Sequence, residues 1–195
     1  PIGELMSKGI AGDTISLAAG FVDTETLPAE EISAVFAEFA RKRGKQALQY
    51  GLNEGLASLR AKLLRRMECT DDDAARHVDI DRVILSTGSQ QMLYILTEIM
   101  VDPGDIVITA APSYFVYLGV LEAAGARVVG IPSDDDGMRI DALEEAIRRI
   151  VRAGDGGKLK IVYVTTYFDN PSGVSLSVER RRALLDCVKS FDSIW

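Results

Sequence analysis

One short polar stretch of this sequence carries residue types that could hold an anion. In STGSQQM, Gly88 allows a tight turn, and Ser89 and Gln90 open a predicted helix. The first N–H groups of a helix lack intrahelical partners, so this turn is suited to bind a phosphate. Thr-Gly-Ser before a helix is also ordinary N-cap sequence, and the stretch by itself allows either interpretation.

Two further loops carry a flat aromatic ring and an amide of fixed direction. In APSYFVY, Tyr114 stands where a predicted strand gives way to a helix, so its ring can stack on a flat heteroaromatic ligand. In FDNPSG, Asn170 precedes a proline and is expected to be extended, with its amide donating to a phenolate or carboxylate oxygen. In the first loop the alternative is that the aromatic rings pack between helix and sheet, which we prefer for Phe115 and Tyr117. In the second loop the alternative is a plain Pro-Ser-Gly turn.

The elements around these loops must position them. The short β-branched runs VIL, DIVITA, ARVVGI and KIVYVT predict buried strands, and SQQMLYILTEIM, YFVYLGVLEAAG and IDALEEAIRRIV predict helices between them. Strand and helix alternate four times, which predicts an α/β fold with a mostly parallel sheet and helices on both faces. Ligands of such sheets bind at the carboxyl ends of the strands, where all three loops are expected.

The first part of the chain predicts helices without strands. One helix is expected in AEEISAVFAEFARKRG, ending at Gly44, and a second in NEGLASLRAKLLRRM, with Asn53 as its N-cap. Their apolar stripes are Ile32, Val35, Phe36 and Phe39 in the first and Leu56, Leu59, Leu63 and Leu64 in the second. We therefore expect an N-terminal helical arm before the sheet.

The composition restricts the classes of function. A chain of 195 residues with 47% hydrophobic residues can bury a full core. Its net charge of −7 disfavours binding to nucleic acid or to anionic membranes. Cys69 and Cys187 have neither the number nor the spacing of a disulfide framework or zinc site, and the Asp runs do not fit a calcium loop, so no metal is expected. Without a leader or a bilayer-spanning apolar stretch, the sequence predicts a cytoplasmic protein.

Taken in order along the chain, the segments LQYGLNEGLASLR, VILSTGSQQMLYIL, VDPGDIVITAAPSYF and YFDNPSG closely resemble the fold-type I pyridoxal-phosphate enzymes, specifically the class I and II aminotransferases. GSQQ, APSY and DNPSG at these separations are a specific match. The resemblance implies pyridoxal 5'-phosphate as cofactor, with its phosphate on Gly88, Ser89 and Gln90. It also implies that Tyr114 stacks on the pyridine ring and that Asn170 bonds the phenolic oxygen.

The same resemblance implies an activity and a partner. The activity is transfer of an amino group between an amino acid and a 2-oxo acid, with the backbone of Gly20 and the side chain of Asn170 beside the substrate. Tyr50 of LQYG is implied to reach the cofactor phosphate of a second subunit, which makes the protein a homodimer. Two alternatives stay open on this fold: a lyase, and an aminotransferase-like effector domain of a transcriptional regulator.

The resemblance also implies a domain division and one departure. Residues 1–45 match the N-terminal arm and part of the small domain, and residues 46–195 match the front part of the large cofactor-binding domain. The family requires a Schiff-base lysine, an acid for the pyridine nitrogen and usually an arginine for the substrate carboxylate, all after the NPSG helix. None can be assigned here, because Lys158, Lys160 and Lys189 stand in contexts that predict solvated side chains. No catalytic residue is therefore predicted within this chain.

Overall fold

The computed structural model describes residues 22–70 and 78–191. The chain divides into two units, Pro1–Asn53 and Glu54–Trp195. The domain bounds that the resemblance implies, 1–45 and 46–195, refer to a longer fold and stay a prediction.

In the described part of the first unit, the long helix α1 (Ala29–Ala47) follows a 3₁₀ turn at Thr24–Thr26. Gly44 does not end α1, contrary to expectation: it lies inside the helix, and its carbonyl accepts a hydrogen bond from the N–H of Leu48. Lys45 and Gln46 are good helix formers and extend the helix beyond the glycine. The apolar stripe of α1 is exposed along its length, at Ile32, Val35, Phe36 and Phe39.

The second unit begins with α2 (Ala57–Thr70). Asn53 is not its N-cap, because the first helical hydrogen bonds run from the N–H groups of Leu59 and Arg60 to the carbonyl of Leu56. The predicted leucine stripe is also not the buried face among the described residues. Arg60 is the buried residue of α2, with 7% of its surface exposed, while Leu59 remains 44% exposed.

The expected first strand, residues 83–85, does not pair with any strand of the described residues. It is held by α2 and the turn before it. The N–H of Leu85 donates to the carbonyl of Glu54 at 3.0 Å, and Nη1 of Arg60 donates to the carbonyls of Ile80 and Val83 at 3.0 and 3.2 Å. An arginine side chain thus joins the turn at Ile80 and the segment that follows it to α2.

Within the described residues, the sheet has four strands in the order β3-β2-β1-β4. They are β1 (Ile106–Ala111), β2 (Arg127–Asp134), β3 (Gly137–Met138) and β4 (Leu159–Tyr163). β1 pairs in parallel with both neighbours, so that Ile108 lies opposite Val129 on β2 and opposite Val162 on β4. The short β3 pairs antiparallel with β2. The mostly parallel sheet is confirmed, with three of the four predicted strands in it.

Helices cover both faces of this sheet, as expected. They are α3 (Ser89–Met100), α4 (Phe115–Ala123), α5 (Ile140–Arg152) and α6 (Val178–Lys189). Ile106 and Ile108 of β1 pack with α5 and α6, whereas Val107 packs with α3 and α4. These three residues are 0% exposed, so the central strand is buried on both faces, and its alternate side chains enter different cores.

Replacing Arg60 by alanine should lower the free energy of unfolding by about 2 to 3 kcal/mol, because the carbonyls of Ile80 and Val83 lose a charged donor. The matched control is Arg65→Ala, which removes an exposed arginine from the same helix and should change stability by less than about 0.5 kcal/mol. Urea unfolding of both variants of the intact protein measures the difference. Equal unfolding midpoints for the two variants would contradict the structural role of Arg60.

Candidate functional site

The topology places three polar loops at the carboxyl edge of the sheet. β1 and β4 are parallel neighbours, so the loops that follow them leave from the same edge. α3 packs on the sheet and ends five residues before β1 starts, and its 12 residues span about 18 Å, close to the length of β1. The helix therefore returns its N-terminus to that same edge. The loop before α3, the loop after β1 and the loop after β4 are placed together by topology.

The loop before α3 offers backbone donors. Gly88 is the N-cap residue, with φ of 90°, and no side chain caps the helix. The loop is held from within, since Oε1 of Gln91 accepts from the N–H and Oγ1 of Thr87 at 2.6 and 2.8 Å, and Oγ of Ser86 donates to the carbonyl of Gly88 at 3.1 Å. The first turn contains no acidic residue. The N–H groups that open α3, beginning with Ser89, are thus suited to an anion.

Gln91 is a contributor to this loop that sequence reasoning missed. It stands three residues after the N-cap, and its side chain accepts from the N–H of Thr87, one residue before the N-cap N–H that the glutamine of a capping box reaches. A Gln at that spacing after a polar turn is the signal that could have identified it. Its role is to hold the turn, while Ser89 and Gln90 remain exposed.

The loop after β1 places Tyr114 as the N-cap residue of α4. Its ring is half-buried and meets the ring of Phe115 edge-on, with centroids 6.0 Å apart. The preferred packing role is confirmed for Tyr117, which is 2% exposed, and is wrong for Phe115, which is 55% exposed. α4 turns Tyr117 toward the sheet, so Phe115, two positions earlier, points away from it. The ring of Tyr114 packs against the core and is partly exposed to solvent, where a ligand could stack on it.

Tyr117 itself has a structural role. Its hydroxyl lies 3.4 Å from Oγ1 of Thr97 on α3, and its ring centroid is 4.6 Å from that of Tyr163 on β4. Burial raises the pKa of Tyr117, so its hydroxyl stays neutral at physiological pH. The residue joins α3, α4 and β4 beneath the candidate site.

The loop after β4 presents Asn170 at its tip. Oγ of Ser172 donates to Oδ2 of Asp169 at 2.8 Å, and the N–H groups of Gly173 and Asp169 bond within the turn, to Asp169 and Val174. Among the described residues, no group accepts from or donates to the amide of Asn170, which is exposed. The loop thus uses its other polar groups to hold its own shape and leaves this amide for a ligand.

A strained residue lies two positions before Asn170. Phe168 has φ of 46°, in the left-handed region that costs energy for a side chain other than glycine, and it is 80% exposed. Its N–H donates to Oγ of Ser175 at 3.1 Å, across the loop. Backbone strain of this kind persists only where surrounding contacts impose it, and it is concentrated at functional sites.

None of the remaining predicted residues belongs to the three loops. Tyr50 belongs to the first unit, and its side chain is fully exposed. Gly20 lies outside the described residues. Lys158 and Lys160 lie at the amino end of β4, away from the three loops, and Nζ of Lys158 pairs with Oδ1 of Asp155 at 2.9 Å. Lys189 is exposed at the end of α6. None of these three lysines therefore lies at the carboxyl edge of the sheet.

Other chemistry is limited within residues 22–70 and 78–191. No group of His, Cys, Asp and Glu side chains there could hold a metal ion. Both cysteines are free, and burial raises the pKa of the Cys187 thiol, which disfavours its thiolate. None of the helices that can be described combines the length and the apolar character needed to cross a bilayer.

Comparison with known proteins connects this geometry to a family. The profile of the family "Aminotransferase class I and II" matches residues 12–195. Aromatic-amino-acid aminotransferase 1 of Thermococcus litoralis is 37% identical over 193 residues, which are 99% of this chain and 45% of that protein.

Two solved structures have the same fold. The kynurenine aminotransferase of Pyrococcus horikoshii, in complex with PMP, KYN and KYA, has a TM-score of 0.87 at 32% identity, covering 98% of this chain and 46% of that one. The α-aminoadipate aminotransferase LysN of Thermus thermophilus, complexed with N-(5'-phosphopyridoxyl)-L-leucine, has a TM-score of 0.79 at 31% identity, covering 97% and 43%. The chain thus spans a little under half the length of these relatives.

Substituting alanine at Gly88 should lower the free energy of unfolding by about 1 to 2 kcal/mol, because a Cβ is strained at φ of 90° although no atom lies within 4 Å of it. Gly119→Ala is the matched control: it also has no neighbour within 4 Å, but it lies inside α4, where alanine should stabilise the protein by about 0.5 kcal/mol. Denaturant unfolding compares the two. A stabilising effect at Gly88 would contradict the conformational constraint on this loop.

Proposed function

Because the chain belongs to the class I and II aminotransferase family, we propose that the intact protein is an aminotransferase that binds pyridoxal 5'-phosphate at the carboxyl edge of the sheet. It would move an amino group between an amino acid and a 2-oxo acid. The observation that carries the proposal is the placement of three loops at one edge, each with a different donor or surface. A backbone anion site, a flat ring and an uncommitted amide match the phosphate, the pyridine ring and the phenolic oxygen of this cofactor.

The described residues fit the cofactor on chemical grounds. The phosphate would rest on the N–H groups of Gly88, Ser89 and Gln90, where no acidic side chain competes for them. Tyr114 would stack on the ring from its half-buried position. The amide of Asn170 would donate to the phenolic oxygen, since it has no partner among the described residues. Each group of the cofactor would therefore find a complementary one.

When bound, the cofactor supplies the electron sink for the reaction, and the protein supplies orientation and electrostatics. The amide of Asn170 would stabilise the charged form of the phenolic oxygen. The same side chain and the backbone of Gly20 would lie beside the substrate. The lysine that holds the cofactor covalently, the acid at the pyridine nitrogen and the arginine for the substrate carboxylate would lie outside the 195 residues, in agreement with the partial coverage of the relatives. Both cysteines are free thiols, which agrees with a cytoplasmic location.

The assembly we propose is a homodimer in which Tyr50 of each subunit reaches the phosphate site of the other. Two features of the first unit support it. The side chain of Tyr50 is fully exposed, with its hydroxyl available. The exposed apolar stripe of α1, from Ile32 to Phe39, is the kind of surface that subunit contacts cover. A large apolar interface would make the dimer obligate.

Titration of the intact protein with pyridoxal 5'-phosphate should produce visible absorbance, and Asn170→Ala should weaken binding by about tenfold, since one hydrogen bond to a charged oxygen is lost. The variant should also move the pH titration of that absorbance upward by about one unit, because the charged oxygen loses its donor. Lys189→Ala, which alters an exposed residue at the far end of α6, is the control and should match the wild type in affinity and in amino transfer. Absence of visible absorbance from the wild type would refute the proposed function.

Tyr50→Phe should loosen cofactor binding severalfold without unfolding the protein, because the change removes only a hydroxyl. Tyr94→Phe, at another exposed tyrosine, is the control and should leave binding unchanged. Sedimentation velocity of the intact protein should report a dimer for the wild type and for both variants. A stable, fully active monomer would rule out the shared site.

A further inference from the structure

The three consecutive arginines at residues 180–182 have three different environments, although all three lie on α6. Arg180 donates from Nη1 to the carbonyl of Met138 at 2.8 Å and from Nη2 to Oδ2 of Asp134 at 2.9 Å. Arg182 is exposed, and its side chain makes no hydrogen bond or ion pair with the described residues. Arg181, between them, turns toward the loop that carries Asn170.

Arg181 binds both ends of that loop, defined here as residues 166–176 and called the Asn170 loop. Its Nε donates to the carbonyl of Leu176 at 2.8 Å, and its Nη2 donates to the carbonyl of Thr166 at 3.1 Å. The guanidinium carbon also lies 4.1 Å from the ring centroid of Tyr167. One planar group therefore makes two directed bonds and one cation–π contact at the base of the loop.

The base of the Asn170 loop is where the loop joins the rest of the fold. Leu176 N–H donates to the carbonyl of Thr166 at 3.0 Å, which closes the base, and Ser172 and Asp169 hold the tip through their own bond. Leu176 is 4% exposed and belongs to the core. A loop that is rigid within itself takes its direction from its base, so the burial of Leu176 and the two bonds of Arg181 together set where the tip points.

We propose that Arg181 is a positioning residue that orients Asn170 toward the cofactor. It acts through the base of the Asn170 loop and does not itself contact cofactor or substrate. The inference rests on the proposed function, since it concerns the direction of the amide that would bond the phenolic oxygen. A lysine at this position could not replace it fully, because an ammonium lacks the planar fork that reaches two carbonyls while stacking on a ring.

The test uses the intact protein with Arg181→Gln, Arg181→Lys and, as the matched control on the same helix, Arg182→Gln. Hydrogen exchange of the cofactor-free protein follows the amides of the Asn170 loop. Arg181→Gln should speed their exchange and weaken pyridoxal 5'-phosphate binding, each by about tenfold. It should also move the pH titration of the visible absorbance in the same direction as Asn170→Ala. Arg181→Lys should fall between Arg181→Gln and wild type, and Arg182→Gln should equal wild type.

A double variant separates positioning from a general loss of stability. If Arg181 acts through Asn170, then Asn170→Ala with Arg181→Gln should bind the cofactor no more weakly than Asn170→Ala alone. Additive losses, or exchange of the loop amides that Arg181→Gln leaves unchanged, would overturn the inference. If Arg181→Gln fails to fold, Arg181→Lys is the test. An Arg181→Lys variant whose loop amides exchange at the wild-type rate, and which binds the cofactor with wild-type affinity, would overturn the inference.

The outcomes also distinguish this inference from the proposed function. A wild type that binds no cofactor refutes the proposed function and the role of Arg181 with it. A wild type that binds the cofactor, with Arg181→Gln and Arg182→Gln indistinguishable from it, refutes only the role of Arg181.

Discussion

Parallel pairing of β1 with a strand on each side is the constraint on which the rest of the second unit depends. Ile106, Val107 and Ile108 are completely buried, so both faces of this strand must be covered. Parallel neighbours require crossover connections, and here helices supply them and also supply the cover. The same pairing brings the carboxyl ends of β1 and β4 to one edge. Core packing and site assembly therefore have a single cause.

Two of the loops at that edge are held by hydrogen bonds between their own polar groups. Gln91 accepts from Thr87 beside α3, and Asp169 accepts from Ser172 in the loop after β4. The opening N–H groups of α3 and the amide of Asn170 have no partners among the described residues. In the candidate site, loops held in this way would reduce the entropy lost on binding a ligand.

Arginines connect these loops to the scaffold over long sequence separations. Arg60 supports the segment that leads to Gly88, and Arg181 supports the loop that presents Asn170. Backbone carbonyls are the acceptors in both cases, and each guanidinium joins two backbone positions to the helix that carries it. Arg180 shows a related use, since it joins α6 to the β2–β3 hairpin and lowers the pKa of Asp134 through its hydrogen bond.

The sequence by itself determined the alternation of strands and helices, the mostly parallel sheet and the residue types of the three loops. These follow from local pattern, because periodicity and turn residues act over a few positions. Only the tertiary structure decided that residues 83–85 pair with no described strand, that Phe115 faces outward, and that Arg180 and Arg181 differ from Arg182. Contacts such as that of Arg180 with Asp134 join residues 46 positions apart. No local pattern encodes which distant carbonyl or carboxylate a side chain will meet, since that depends on how the crossovers fold the chain back on the sheet.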